Sequence, residues 1–163
     1  LSDNIERLAR QVLDAYIAAH KMLATAESCT GGMVAAALTD IAGSSAVVER
    51  GFVTYSNAAK SELLGVDPDA INRYGAVSSE IAAAMAKGAL ANSHAALAVS
   101  VTGIAGPGGG SAEKPVGLVW FGISGNGETV TEHHVFSGNR AEIRDQSTER
   151  ALQLLLSELS RFR

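Results

Sequence analysis

The sequence predicts an α/β fold: a single layered domain with a mixed β-sheet flanked by helices. Three observations lead there. Runs of strand-forming residues at 22–26, 46–56 and 95–101 are separated by segments whose apolar residues recur at helical spacing. The run at 95–101 reads as a central strand buried on both faces. The pair Asn126-Gly127 stands between strand-like runs at 116–124 and 129–136, which is a hairpin signal.

Taken in order, residues 3–19 form a helix, with Ile5, Leu8, Val12 and Tyr16 on one face and Ser2 or Asp3 as cap. Residues 22–26 are the first strand. A helix rich in small side chains follows at 31–41, then a turn at Gly43-Ser44-Ser45. Residues 46–56 are a long strand in which Gly51 marks a bulge or a close backbone approach. Asn57 caps a short helix to about Leu64, stopped by Gly65. Pro68 opens another short helical segment. Ser78 caps a third helix, which ends near Asn92. The strand at 95–101 leads into a glycine-rich loop at 102–115, and the hairpin follows. Asn139 with Glu142 resembles a capping box and starts the last helix, to about Leu159.

The composition narrows the function. A chain of 163 residues suits one domain over 1–163, and no linker divides it. Hydrophobic residues at 47% and charged residues at 18% exclude a disordered chain. Aromatics are few, so Ala, Val, Leu and Ile must build the core. A net charge of −4 argues against a protein that coats nucleic acid or an anionic membrane. The single Cys29 excludes an internal disulfide and a Cys-rich zinc site. His20, His94, His133 and His134 lack metal-ligand spacing, so no metal and no cofactor is expected. The charged, amphipathic start is unlike a signal peptide, and no apolar run approaches the roughly 18 residues of a membrane span. These features read as a cytoplasmic protein.

Three segments that each follow a strand carry the chemistry. They are Glu27-Ser28-Cys29-Thr30-Gly31-Gly32, then Tyr55-Ser56-Asn57 with Lys60, then the loop that starts at Thr102-Gly103 and contains Gly106, Gly108 and Gly109. If the preceding strands lie side by side, the segments meet at the sheet edge where α/β proteins bind ligands. Ser28 is the candidate nucleophile, although hydroxyls before a helix more often only cap it. Amides at the Gly31-Gly32 helix start can hold an oxyanion. Cys29 ranks behind Ser28, because a lone cysteine is more often a small buried residue. Lys60 is the candidate base. A free lysine, with pKa about 10.4, stays protonated at neutral pH, so this role needs burial or a neighbouring cation. Tyr55 can relay a proton or hold substrate. The glycine loop can wrap a phosphate but matches no nucleotide fingerprint. Lys114 and Arg50 are weaker phosphate candidates, with surface charge the simpler role.

With Gly75-Ala76-Val77-Ser78 added, these motifs agree in order and spacing with one family. The chain resembles the CinA C-terminal domain family over about residues 5–159. The resemblance implies a nicotinamide-nucleotide amidohydrolase of the stand-alone form. It would deamidate nicotinamide mononucleotide to nicotinate mononucleotide and ammonia, in pyridine nucleotide salvage, as a homodimer or larger homo-oligomer. Ser28 would attack the amide, Lys60 would take the proton and Tyr55 would assist. Thr30, Gly31, Gly32, Asn57, Thr102, Gly103, Gly106, Gly108 and Gly109 would bind the substrate. Two rival readings stand beside it: a non-catalytic nucleotide-binding or competence-related regulatory module, and an amidase for another small amide.

Overall fold

Five strands and six helices build the fold in the computed structural model, which describes residues 2–162. The amphipathic first segment forms α1 (Asp3–Ala19), and the Ser2 hydroxyl caps it by accepting the Ile5 N–H at 3.1 Å. Then come β1 (Leu23–Glu27), α2 (Met33–Thr39), a 3-10 turn (Ser44–Ala46) and β2 (Val48–Val53). Three helices follow: α3 (Asn57–Leu64), α4 (Pro68–Tyr74) and α5 (Ser79–Ala91). The chain ends with β3 (Leu97–Gly103), β4 (Leu118–Gly125), β5 (Glu128–Val135) and α6 (Arg140–Ser157). No helix among the described residues is long and apolar enough to cross a membrane.

The sheet is mixed, in the order β2-β1-β3-β4-β5. Strand β1 lies parallel to both β2 and β3, whereas β3, β4 and β5 run antiparallel. The strand alternation divides the core in two. Leu23, Leu97, Val99 and Val101 pack with residues of α1, α2 and α6. Ala24, Ala26 and Ala98 meet Leu64, Ile71, Ile81, Met85 and Ala89 of α3, α4 and α5. Small residues on that second face bring α5 close: a Cβ on Gly122 of β4 would lie 2.5 Å from the Ala82 carbonyl oxygen. The buried Tyr16 joins the two chain ends by donating its hydroxyl to the Leu155 carbonyl at 2.7 Å.

Several boundaries differ from the sequence expectations, each for a local reason. Helix α2 starts at Met33, because Gly31 and Gly32 form the preceding turn at φ 58° and 107°. The two features expected at Gly51 separate. The register shift falls at Glu49, between the pairs Leu23–Val48 and Ala24–Arg50. Gly51 is the close approach, since a Cβ there would lie 2.7 Å from Thr25 Oγ1. Ser56, not Asn57, caps α3, because its hydroxyl accepts the Ala59 N–H at 3.0 Å. Strand β3 carries on through Thr102 and Gly103, so the glycine loop begins at Ile104. The hairpin turn and the Asn139–Glu142 capping box form as expected.

Candidate active site

Parallel pairing brings the ends of β2, β1 and β3 together, and the ladder continues one residue beyond β1. The Ser28 N–H donates to the Val101 carbonyl at 2.9 Å, and the Thr54 N–H donates to the Glu27 carbonyl at 2.9 Å. Ser28 is therefore tied to β3, and the chain that enters α3 is tied to β1. One turn into α3, Lys60 points back at the strand ends. Its Nζ lies 3.0 Å from Ser28 Oγ, 2.9 Å from the Thr54 carbonyl and 3.5 Å from the Ser56 carbonyl. Lys60 is 1% exposed. Burial lowers its pKa below the usual lysine value, because the charged form has lost its water.

The turn after Ser28 is held by a buried carboxylate. Glu27 accepts the Thr30 hydroxyl at 2.6 Å and the Val34 and Ala35 N–H groups at 2.9 and 3.1 Å. Gly32, the residue before α2, has no side chain to cap the helix, so Glu27 does it from the preceding strand. From α6, Arg144 donates to the Cys29 and Thr30 carbonyls at 3.0 and 3.3 Å. Burial pushes the Cys29 thiol up to about 12, so it stays protonated at neutral pH, and it is the Ser28 hydroxyl, not this thiol, that the Lys60 amine meets.

A cleft of about 280 Å³ opens over Ser28. Tyr55, Gly103, Gly106, Gly108, Gly109 and Arg140 line it. Tyr55 is 61% exposed, and its hydroxyl accepts from Arg140 at 2.9 Å. Arg140 also donates to the Gly106 carbonyl at 2.7 Å, so its guanidinium bridges Tyr55 and the glycine loop.

The other residues singled out in the sequence lie elsewhere. Thr30 is buried and its hydroxyl serves Glu27. Thr102 is buried and donates to the Ala76 carbonyl at 2.9 Å. Gly31 donates its N–H to the Ser28 carbonyl at 3.0 Å, which leaves that amide no free hydrogen for an oxyanion. Gly32 packs near Val53. Asn57 lines a separate apolar cleft of about 360 Å³ with Ala58, Pro68 and Ile71. That cleft is larger than the one over Ser28, but its polar lining residues Ser61 and Glu62 do not bond to each other as Lys60 and Ser28 do. Arg50 and Lys114, for which surface charge was the simpler expectation, do not line the cleft over Ser28. Arg50 pairs with Glu49 at 2.7 Å, and Lys114 donates to the Tyr74 carbonyl at 2.6 Å. Among the described residues, no group of three His, Cys, Asp or Glu side chains is placed to hold a metal ion.

The sequence reading passed over Arg140 and Arg144. Arg140 carried one signal: it is the first residue of α6, where the helix dipole disfavours a cation. A cation at that position needs another reason, and here it is the cleft. Arg144 gave no signal, since an arginine on an amphipathic helix is ordinary.

Comparison with known proteins agrees with the four motifs. The model of the CinA C-terminal domain family matches residues 5–159. The chain is 58% identical over 134 residues to the nicotinamide-nucleotide amidohydrolase PncC of Enterobacter agglomerans, covering 82% of each chain. It is 53% identical over 150 residues to the protein of that name from Escherichia coli K12, covering 91% of each. The crystal structure of competence/damage inducible protein CihA from Agrobacterium tumefaciens superposes with a TM-score of 0.94 at 50% identity, over 96% of both chains.

Proposed function

The chain belongs to the CinA C-terminal domain family, and on that premise we propose that it is a nicotinamide-nucleotide amidohydrolase. It converts nicotinamide mononucleotide and water to nicotinate mononucleotide and ammonia. The observation that carries this reading is the buried Lys60 amine 3.0 Å from the Ser28 hydroxyl at the floor of an open cleft.

The chemistry follows from that pair. A neutral Lys60 amine directs N–H groups at the Thr54 and Ser56 carbonyls and keeps its lone pair for the Ser28 O–H. Ser28 Oγ attacks the carboxamide carbon while its proton passes to Lys60. The negative charge that forms on the carbonyl oxygen needs donors. The amides of Thr30 and Gly32 have no oxygen acceptor among the described residues and serve that need. The C–N bond then breaks, and the Lys60 ammonium returns its proton to the departing nitrogen, which leaves as ammonia. A water molecule, deprotonated by Lys60, attacks the acyl-Ser28 ester, the C–Oγ bond breaks, the Lys60 ammonium returns its proton to Ser28 Oγ, and the acid product leaves as its carboxylate. Arg140 is the cation of the cleft and holds the substrate phosphate. Tyr55 keeps Arg140 in place, and the glycine loop admits the ribose phosphate close to its backbone.

The test is ammonia release from nicotinamide mononucleotide by the parent chain and by Ser28→Ala. Release by the parent alone is the expected result. Equal release from both removes Ser28 as nucleophile. Release by the parent from other small amides, but not from this nucleotide, transfers the reading to another amidase.

A further inference from the structure

Arg144 does not line the cleft, yet its guanidinium reaches 115 and 114 residues back along the chain to two consecutive carbonyls, those of Cys29 and Thr30. It makes no ion pair among the described residues. Fastening two neutral carbonyls needs only donors, and a glutamine supplies those. A full charge at that place does something more. We propose that Arg144 is a positioning residue for the oxyanion of the reaction at Ser28, an inference that rests on Ser28 being the nucleophile.

In a trans peptide the C=O and N–H point in opposite directions. Arg144 holds the Cys29 carbonyl and shares the Thr30 carbonyl with the Met33 N–H at 3.0 Å, so the N–H groups of Thr30 and Gly31 are turned away from the guanidinium. The Gly31 N–H closes the turn on the Ser28 carbonyl, and the Thr30 N–H is left without an oxygen acceptor. Arg144 thus fixes the peptide whose free donor follows the nucleophile. Two glycines come next, at φ 58° and 107°, and they offer the least resistance to a peptide flip in this turn. The guanidinium lies directly behind the first of them: a Cβ on Gly31 would lie 3.4 Å from an Arg144 Nη. The charge adds a second effect. A cation behind the turn stabilises negative charge on its far side, more strongly where water is excluded. Glu27, the last residue of β1, ties the same turn to α2, so the nucleophile's loop is held by a carboxylate from the strand before it and a guanidinium from α6.

The experiment follows two reactions in the full chain. One is kcat and KM for ammonia release from nicotinamide mononucleotide. The other is the rate at which a fluorophosphonate labels Ser28. In labelling, Oγ bonds to phosphorus, fluoride leaves, the proton goes to Lys60, and the P=O oxygen takes the oxyanion's place. Arg144→Lys and Arg144→Ala are each compared with the parent. We expect kcat and the labelling rate to fall together by about 10²-fold, the loss seen when one oxyanion donor is removed, with KM changed less than about twofold. Added guanidinium ions restore part of the labelling rate in Arg144→Ala. Lysine keeps the charge but cannot reach both carbonyls in a fork, so Arg144→Lys stays slow. Labelling at the parent rate in either variant overturns the proposal. So does a rise in KM with kcat unchanged. A parent that is labelled but releases no ammonia overturns the substrate reading alone, and the labelling comparison still decides the role of Arg144. A parent that is not labelled overturns Ser28 as nucleophile and with it the role of Arg144, and ammonia release decides the substrate reading separately.

Discussion

The turn after β1 and the loop after β3 face each other across one cleft, and they are held in opposite ways. The first is fixed at almost every atom. Its backbone joins β3 through Ser28, its carbonyls are taken by Arg144, and Glu27 ties it to α2. Cys29 and Thr30 are buried. The second is exposed throughout residues 107–113 and is anchored mainly at its ends. The Ile104 and Gly117 amides bond across its neck, and Arg140 holds Gly106. Bond-making needs a nucleophile and a base held to within a fraction of an ångström, and the rigid side meets that need for the proposed reaction. Recognition of a polar, flexible ligand tolerates movement, which suits the loose side to the proposed phosphate contact.

Substitutions sharpen that contrast, and the largest effect belongs to the rigid side. Lys60→Met is expected to lower kcat by about 10⁴-fold or more, and adding Ser28→Ala is expected to cost little further, since nucleophile and base act as a unit. The pH profile of the parent carries the same signature. Because burial lowers the Lys60 pKa, kcat/KM rises with pH as the amine loses its proton, with an inflection below the ordinary lysine value of 10.5. Lys60→Arg, which keeps its charge, removes that rise. The linked stability has a definite sign. Folded Lys60 holds its proton less tightly than unfolded Lys60, so stability increases with pH through the window between the lowered pKa and 10.5. Denaturant titrations across that window check the slope against Lys60→Met, which lacks it.

Glu27→Ala is next. It strands the Thr30 hydroxyl and the Val34 and Ala35 amides in a buried place and is expected to cost about 3 kcal/mol of stability. The urea midpoint measures this, and an unchanged midpoint would show that the turn does not need its carboxylate. On the loose side, Arg140→Ala is expected to raise KM about 10-fold or more, with kcat altered far less, because a cation that binds the phosphate acts equally in ground and transition states. A fall in kcat at constant KM would instead put Arg140 in the chemical step. The smallest change is Gly108→Ala. A Cβ there meets nothing within 4 Å, so melting temperature and kcat stay near the parent values. A large loss there would end the distinction between the two sides.

The fold was legible where its signals are local. Caps at Ser2, Ser78 and Asn139, the stop at Gly65 and the Asn126-Gly127 turn each depend on a few adjacent residues, and each forms as its chemistry requires. The strands expected at 22–26 and 95–101 run instead over Leu23–Glu27 and Leu97–Gly103, because apolar character continues into the residues that lead into each strand, where an Ala96 N–H to Met22 carbonyl bond precedes the regular ladder. The motifs identified the family for a similar reason: four short patterns with correct order and spacing are a property of the chain alone. The site was legible only in part. Ser28, Lys60, Tyr55 and the cleft glycines converge, while Thr30 and Thr102 turn inward to serve the protein's own groups. A hydroxyl beside a nucleophile looks the same in sequence whether it faces a substrate or a buried carboxylate.

The sequence alone determined the alternation of elements, their caps and turns, the family, and the short motifs that carry the candidate site. Only the tertiary structure decided that Lys60 meets Ser28 across 32 residues, that Arg140 and not Lys114 or Arg50 serves the cleft, and that Arg144 grips the nucleophile's turn from the last helix. The physical reason is range. Caps, turns and periodicity act over a few residues, whereas these three contacts exist because β1 pairs between β2 and β3 and α6 packs beside α1 and α2.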